Sequence, residues 1–202
     1  MILEACVDNI EDALEAQKKG AHQIELCARL DLDGLTPSEE LIRECLNQLS
    51  IPIHAMIRPR GGNFVHDRDE IESMKQEIYR CKSLGVKGVV FGVLNQDNSI
   101  NIEATKELSE HAKPLTITFH KAIDSCTDIF SELTRLKELN LIDQVLTSGG
   151  AATAEEGAIT LNKMVQEAAQ IEIKVAGKVT QNNLQRLKDL TGATLFHGKK
   201  IV

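Results

Sequence analysis

Residues 23–57, QIELCARLDLDGLTPSEELIRECLNQLSIPIHAMI, hold two short alternating runs, Gln23–Cys27 and Ile53–Ile57, on either side of an amphipathic stretch. Thr36-Pro37-Ser38-Glu39 offers a helix N-cap, a proline at the first helical position and a capping-box glutamate. Leu41, Ile42, Cys45, Leu46 and Leu49 form an apolar stripe behind it. A strand, a helix and a second strand at this spacing describe parallel strands joined by a helical crossover. The same unit recurs along the chain. Ile2–Cys6, Val86–Val93, Leu115–His120, Gln144–Thr147, Ile171–Ala176 and Thr194–His197 bring the runs to eight. Asp8 with Glu11 and Thr153 with Glu156 repeat the capping signal, and Gly20, Gly85 and Gly192 mark helix ends. Eight units in 202 residues predict an α/β fold: one (β/α)8 TIM barrel over residues 1–202. The last helix is expected to be short or missing, because five residues follow His197. A doubly wound open sheet is the rival fold. It usually carries a glycine-rich first turn, which Cys6-Val7-Asp8-Asn9 is not.

Composition narrows the function. Thirty acidic against 23 basic residues give a net charge of −7, and one Tyr, five Phe and no Trp leave few stacking rings. Nucleic acid is therefore not an expected partner. No apolar stretch approaches the ~20 residues of a membrane span, and MILEACVDN enters strand sequence at once, so a cytoplasmic, unprocessed protein with no membrane partner is expected. Five cysteines with no CxxC fit neither a disulfide framework nor a structural zinc site.

Alternation along each strand separates a helix-facing from an inward face. Glu4 and Cys6 oppose Leu3 and Ala5, and Glu25 and Cys27 oppose Ile24 and Leu26. His54, Met56, Arg58 and Arg60 oppose Ile53, Ala55 and Ile57, while Thr116, Thr118 and His120 oppose Leu115, Ile117 and Phe119. The predicted interior is charged, and buried charges cost several kcal/mol unless they pair. Glu4, Glu25, Arg58, Arg60, His120, Lys121, Asp124, Ser148 and His197 fall at or past strand C-terminal ends, where barrel enzymes carry their chemistry. A purely structural network, such as Arg58 with Glu25, is the plain alternative to a site. His54 lies deeper and reads as a hydrogen-bonded core histidine.

Four segments carry a family resemblance: Ile57-Arg58-Pro59-Arg60-Gly61-Gly62; Ile24-Glu25-Leu26-Cys27 followed by Gly34-Leu35-Thr36-Pro37-Ser38; Thr118-Phe119-His120-Lys121-Ala122; and Val145-Leu146-Thr147-Ser148-Gly149. Together they resemble the CutC family of copper homeostasis proteins, from Leu3 to His197. The resemblance implies a TIM barrel, a cytoplasmic location, Cu(I) binding and a role in copper tolerance or trafficking. Carried onto this chain, it implies Cys6 and Cys27 as copper ligands, with Glu25, Arg58, His120 and Asp124 lining the rim. Ala176-Gly177-Lys178 departs from the family's Gly-x-Gly, and Asn63 stands where an acid is common.

Two functions stay open on the residues themselves. Cu(I) prefers soft thiolates, often two or three. Cys6 and Cys27 end neighbouring parallel strands at equivalent positions, and Cys126 is a candidate third sulfur on the same face. Against this, cysteine is a small, readily buried hydrophobe, the reading that suits Cys45 and Cys81. The rival is a lyase or isomerase acting on a small anionic substrate. There Arg58 and Arg60 hold a carboxylate or phosphate, His120 or Glu25 moves a proton, and Ser148, Gly149 and Gly177 cradle the ligand. Lys121 is a candidate Schiff-base residue that alternation points outwards. A scaffold for a protein partner has no specific support, and a homo-oligomer is compatible with the sequence.

Overall fold

The computed structural model describes residues 1–202. Eight parallel strands close into a barrel in chain order, joined by seven helices. The strands are β1 (Ile2–Val7), β2 (Gln23–Leu26), β3 (Ile53–Met56), β4 (Gly88–Phe91), β5 (Thr116–Phe119), β6 (Gln144–Thr147), β7 (Glu172–Val175) and β8 (Leu195–Gly198). The helices are α1 (Ile10–Lys18), α2 (Glu39–Gln48), α3 (Arg68–Leu84), α4 (Ile102–Ala112), α5 (Ile129–Leu139), α6 (Ala158–Glu167) and α7 (Leu184–Thr191). No helix follows β8, as the sequence predicts, and no helix is long and apolar enough to cross a membrane.

Helix starts differ from the sequence reading in three places. Ser38, not Thr36, caps α2, accepting from the Leu41 N–H at 3.3 Å. Thr36 instead clips the chain to the end of β3, accepting from Arg58 N–H at 2.9 Å and donating to Arg58 O at 3.1 Å. Asn9, not Asp8, caps α1, because Asp8 turns to accept from the Leu30 N–H at 3.2 Å. Thr153 accepts from Glu156 N–H in a turn ahead of α6, which starts only at Ala158. Gly85 and Gly192 do end α3 and α7 in the left-handed conformation.

The apolar core is a shell between strands and helices, not the barrel centre. Its 46 buried residues include Ala5, Ile24, Ile53, Val89, Phe119 and Val145, all on the outer strand face. Inside the barrel only Cys6, Cys27, Met56 and Val90 form an apolar cluster, separate from that shell. Apart from Leu146 of β6 and Leu195 of β8, the rest of the interior is largely polar. Glu4 of β1 is fully buried and accepts from Lys174 Nζ of β7 at 2.6 Å and from Gln23 Nε2 of β2 at 2.6 Å. His197 Nδ1 of β8 lies 2.8 Å from its other oxygen, and His54 Nδ1 of β3 lies 3.4 Å away. Burial alone would raise the Glu4 carboxyl, but Lys174, His197 and His54 hold it well below the usual carboxylate range. Alternation across β7 places Lys174 inside, yet the sequence reading did not single it out.

A buried pair broken on one side strands a charge, at a cost of about 3–5 kcal/mol. Lys174→Met is therefore expected to lose about that much stability in urea unfolding. Glu4→Leu/Lys174→Met should recover at least half of the loss, and a double variant no more stable than the single would show that the pair does not carry this energy.

Candidate functional site

A cavity of about 460 Å³ opens at the C-terminal ends of the strands. Its floor is formed by Cys6 and Glu25, with Cys27 buried behind them. The β1–β2 register sets Cys6 beside Glu25, so Cys27 lies two residues further on, just past the end of β2, rather than opposite Cys6. The sequence reading put the two cysteines at equivalent positions; the stagger corrects that, and the side chains still converge. Cys6 Sγ is 3.6 Å and Cys27 Sγ 3.5 Å from Glu25 Oε1, and all three ligand atoms lie within 4.8 Å of one another. Cys6 faces the cavity, whereas Cys27 is fully buried beneath Gly34, where an added Cβ would stand 3.1 Å from its sulfur.

These groups share protons unevenly. The hydrogen bond from Cys27 pulls the Cys6 thiol well below its ordinary range, with help from His197. The same contact, with burial, pushes Cys27 well above it. Burial pushes the Glu25 carboxyl up to about 8. His197 is raised well above the usual histidine value: burial opposes its charge, and Glu25, Cys6 and Glu4 favour it. Cys126 does not join the thiols. It packs against the outer shell with its sulfur 3.8 Å from Ala122 O, and burial raises it to about 12.

Arg58 and Arg60 are positioned by the loop after β3. Arg58 does not pair with Glu25. It donates to Leu32 O at 3.1 Å, Gly34 O at 3.4 Å and Gly62 O at 2.8 Å, and stands 4.8 Å over the Phe64 ring. Its guanidinium thus ties two rim loops together while its Nε, buried, has no partner. Arg60 leaves the cavity altogether. Its Nε meets Glu70 Oε1 at 2.5 Å and its Nη2 donates to Val65 O at 2.7 Å, so it fastens its own loop to the start of α3.

His120 and Lys121 follow β5. The chain leaves the strand at Phe119 and enters a 3₁₀ turn over Lys121–Ser125, so alternation no longer applies. Lys121 consequently points into the cavity, contrary to the sequence reading. Its Nζ lies 2.5 Å from Asp124 Oδ2 and 2.5 Å from Ser148 Oγ. His120 Nδ1 accepts from the Ala122 N–H at 3.2 Å, which leaves the proton on Nε2. That Nε2 is buried without a protein partner, on a ring that lines the cavity and packs tilted against Phe64, with ring centroids 4.8 Å apart. Room for the ring comes from Gly92, where a Cβ would lie 2.5 Å from Nδ1. Burial and the nearby Arg58 charge lower His120 to about 3.

The β6 loop closes the far wall. Gly149 and Gly150 both have positive φ, and successive N–H groups turn inwards as in an anion-binding nest. Its contents are internal. Ser148 N–H donates to Asp124 Oδ2 at 3.0 Å and Gly150 N–H to Asp124 Oδ1 at 2.8 Å, while Gly149 N–H donates to Thr147 Oγ1 at 2.9 Å. Burial would raise Asp124, but Lys121, Thr147 and the Ser148 N–H hold it below its ordinary value. Gly177 packs under this loop, its added Cβ 2.7 Å from Ser148 Cβ. Ser148, Gly149 and Gly177 therefore build the wall around Asp124 rather than offering a free phosphate cradle.

A histidine whose folded value lies near 3 and whose unfolded value is about 6.5 takes up its proton more readily on unfolding. Its contribution to stability is present above pH ~6.5 and is lost as pH falls toward 3. The Tm difference between wild type and His120→Asn should shrink over that window, and the wild-type imidazole should stay neutral by NMR at pH 4.5. A ring that titrates near 6.5 would refute its burial as a neutral donor.

The comparisons with known proteins agree with this barrel. The CutC family model matches residues 1–202. A human copper homeostasis protein cutC homolog is 39% identical over 197 residues, covering 97% of this chain and 72% of that protein. A family protein CutC from Histophilus somni is 40% identical over 198 residues, covering 98% of this chain and 81% of that one. The solved structure of a CutC protein from Streptococcus agalactiae superposes with a TM-score of 0.94 at 32% identity, over 100% of both chains. A 2,3-dimethylmalate lyase, at 12% identity and a TM-score of 0.70 over 98% of this chain and 75% of that one, shares the fold alone. On the full-length family match and these relatives, the chain belongs to the CutC family.

Proposed function

We propose that this protein binds Cu(I) as cargo on Cys6 and Cys27 and serves copper tolerance or trafficking in the cytoplasm. The observation that carries the reading is the convergence of two buried sulfurs and the Glu25 carboxyl within 4.8 Å at the cavity floor. Soft thiolates at low coordination number are the donor set Cu(I) prefers, and the thioether residue Met56 packs in the same cluster. Cys6 has the lowered thiol and opens to the cavity, so it is the ligand that first meets an arriving ion. Cys27 gives up its proton on binding, as metal-ligating thiols must. His197, held cationic between Glu4 and Cys6, balances the thiolate charge. A reducing compartment keeps both thiols available.

Arg58, His120 and Asp124 have other duties in this arrangement. Arg58 and Asp124 fix the loops that form the entrance, and His120 faces its free volume.

Anaerobic titration against a Cu(I) chelator tests the assignment. Cys6→Ser or Cys27→Ser should weaken Cu(I) binding at least tenfold, because a two-thiolate site loses half its ligands. Cys126→Ser should bind as the wild type does. Unchanged affinity in Cys6→Ser/Cys27→Ser would place copper elsewhere.

A further inference from the structure

The cavity above the thiols contains hydrogen-bond donors that copper binding does not use. His120 Nε2–H is buried and unpartnered. Lys121 Nζ spends two of its three protons on Asp124 and Ser148, which leaves one for the cavity. Arg58 Nε is buried and unpartnered behind them. Cationic side chains along the lining are Arg58, Lys121, Lys199 and the raised His197, against the carboxyl groups of Asp33, Asp124 and Glu25. An unmade hydrogen bond on a buried donor is costly, so two such nitrogens, on His120 and Arg58, beside one volume of ligand size indicate an absent acceptor.

We propose that this half of the cavity is a binding site for a small organic carboxylate, received by His120 Nε2–H and Lys121 Nζ. The local charge favours an anion, and two features favour carboxylate over phosphate. The backbone nest at Ser148–Gly150, the feature that would suit phosphate, already holds the Asp124 carboxylate. The forked end of Arg58 is turned onto three backbone carbonyls and cannot clamp a tetrahedral anion. What remains is a neutral N–H and one ammonium proton, a set matched to a planar oxyanion. His120 acts here as a fixed hydrogen-bond donor and not as a base, since its Nδ1 lone pair already accepts from the Ala122 N–H. Gly92 and Phe64 are its positioning partners, one leaving space behind the ring and the other packing against it.

The test uses copper-free wild-type protein, with malonate and inorganic phosphate as probes. The His120 Nε2–H signal, read by 15N NMR, should shift saturably with malonate. Lys121→Met, whose side chain is partly exposed and whose partner Asp124 keeps its bonds from the Ser148 and Gly150 N–H groups, should weaken malonate binding about tenfold or more. Phosphate should bind at least tenfold more weakly than malonate to the wild type. Cys6→Ser/Cys27→Ser should bind malonate as the wild type does, which separates this site from the copper assignment. A His120 signal unmoved by malonate, equal affinity in Lys121→Met, or phosphate binding as tight as malonate would each overturn the proposal.

Discussion

The Glu4–Lys174 pair sits where a barrel of this kind ordinarily keeps layers of branched aliphatic side chains. Both side chains are fully buried, so each depends on the other for its charge. Gln23 and His197 extend the pair across β2 and β8, and Lys174 reaches toward Thr118 of β5. One carboxylate thereby ties the first strand to the second, the seventh and the last. Glu4, Lys174 and Gln23 are paired at this depth, whereas the His120 and Arg58 nitrogens one level higher, at the mouth, are left without partners.

That mouth divides by chemistry. On one side β1 and β2 present sulfur and a carboxyl that burial raises, a soft floor. On the other, the loops after β3, β5 and β6 present nitrogen donors held by internal contacts. His197 belongs to both levels, bonded below to Glu4 and facing Glu25 at 4.0 Å above. A ligand on the nitrogen side would stand over the sulfur side, so access to the thiols depends on what the rim holds.

The barrel was legible because its signal is repetitive: eight alternating runs, each with the parity that puts apolar residues against the helices. Glu4, Glu25, His54 and Thr118 follow that parity into the interior. Legibility fails where the strands end. Lys121 was read outwards because alternation was carried beyond Phe119, past the point where the backbone turns. Arg58 and Arg60 share a parity, yet only one faces the cavity, because Glu70 on a later helix competes for the other. The stagger of Cys6 and Cys27 is a matter of register between strands, which no single strand encodes. Lys174 is a different kind of miss. Its parity was available in Glu172-Ile173-Lys174-Val175, but a lysine deep in a barrel is read as a site only once its partner is known.

Gly92 carries a consequence for how such a chain can vary. The inner face after β4 is empty at this position because the imidazole of His120, from the neighbouring strand, occupies the space a side chain would need. Any residue but glycine there collides with the ring while the histidine remains, and a histidine cannot be introduced opposite a residue that has a Cβ. The geometry therefore couples the two positions in one direction: a chain that keeps the histidine in this place must keep the glycine beside it.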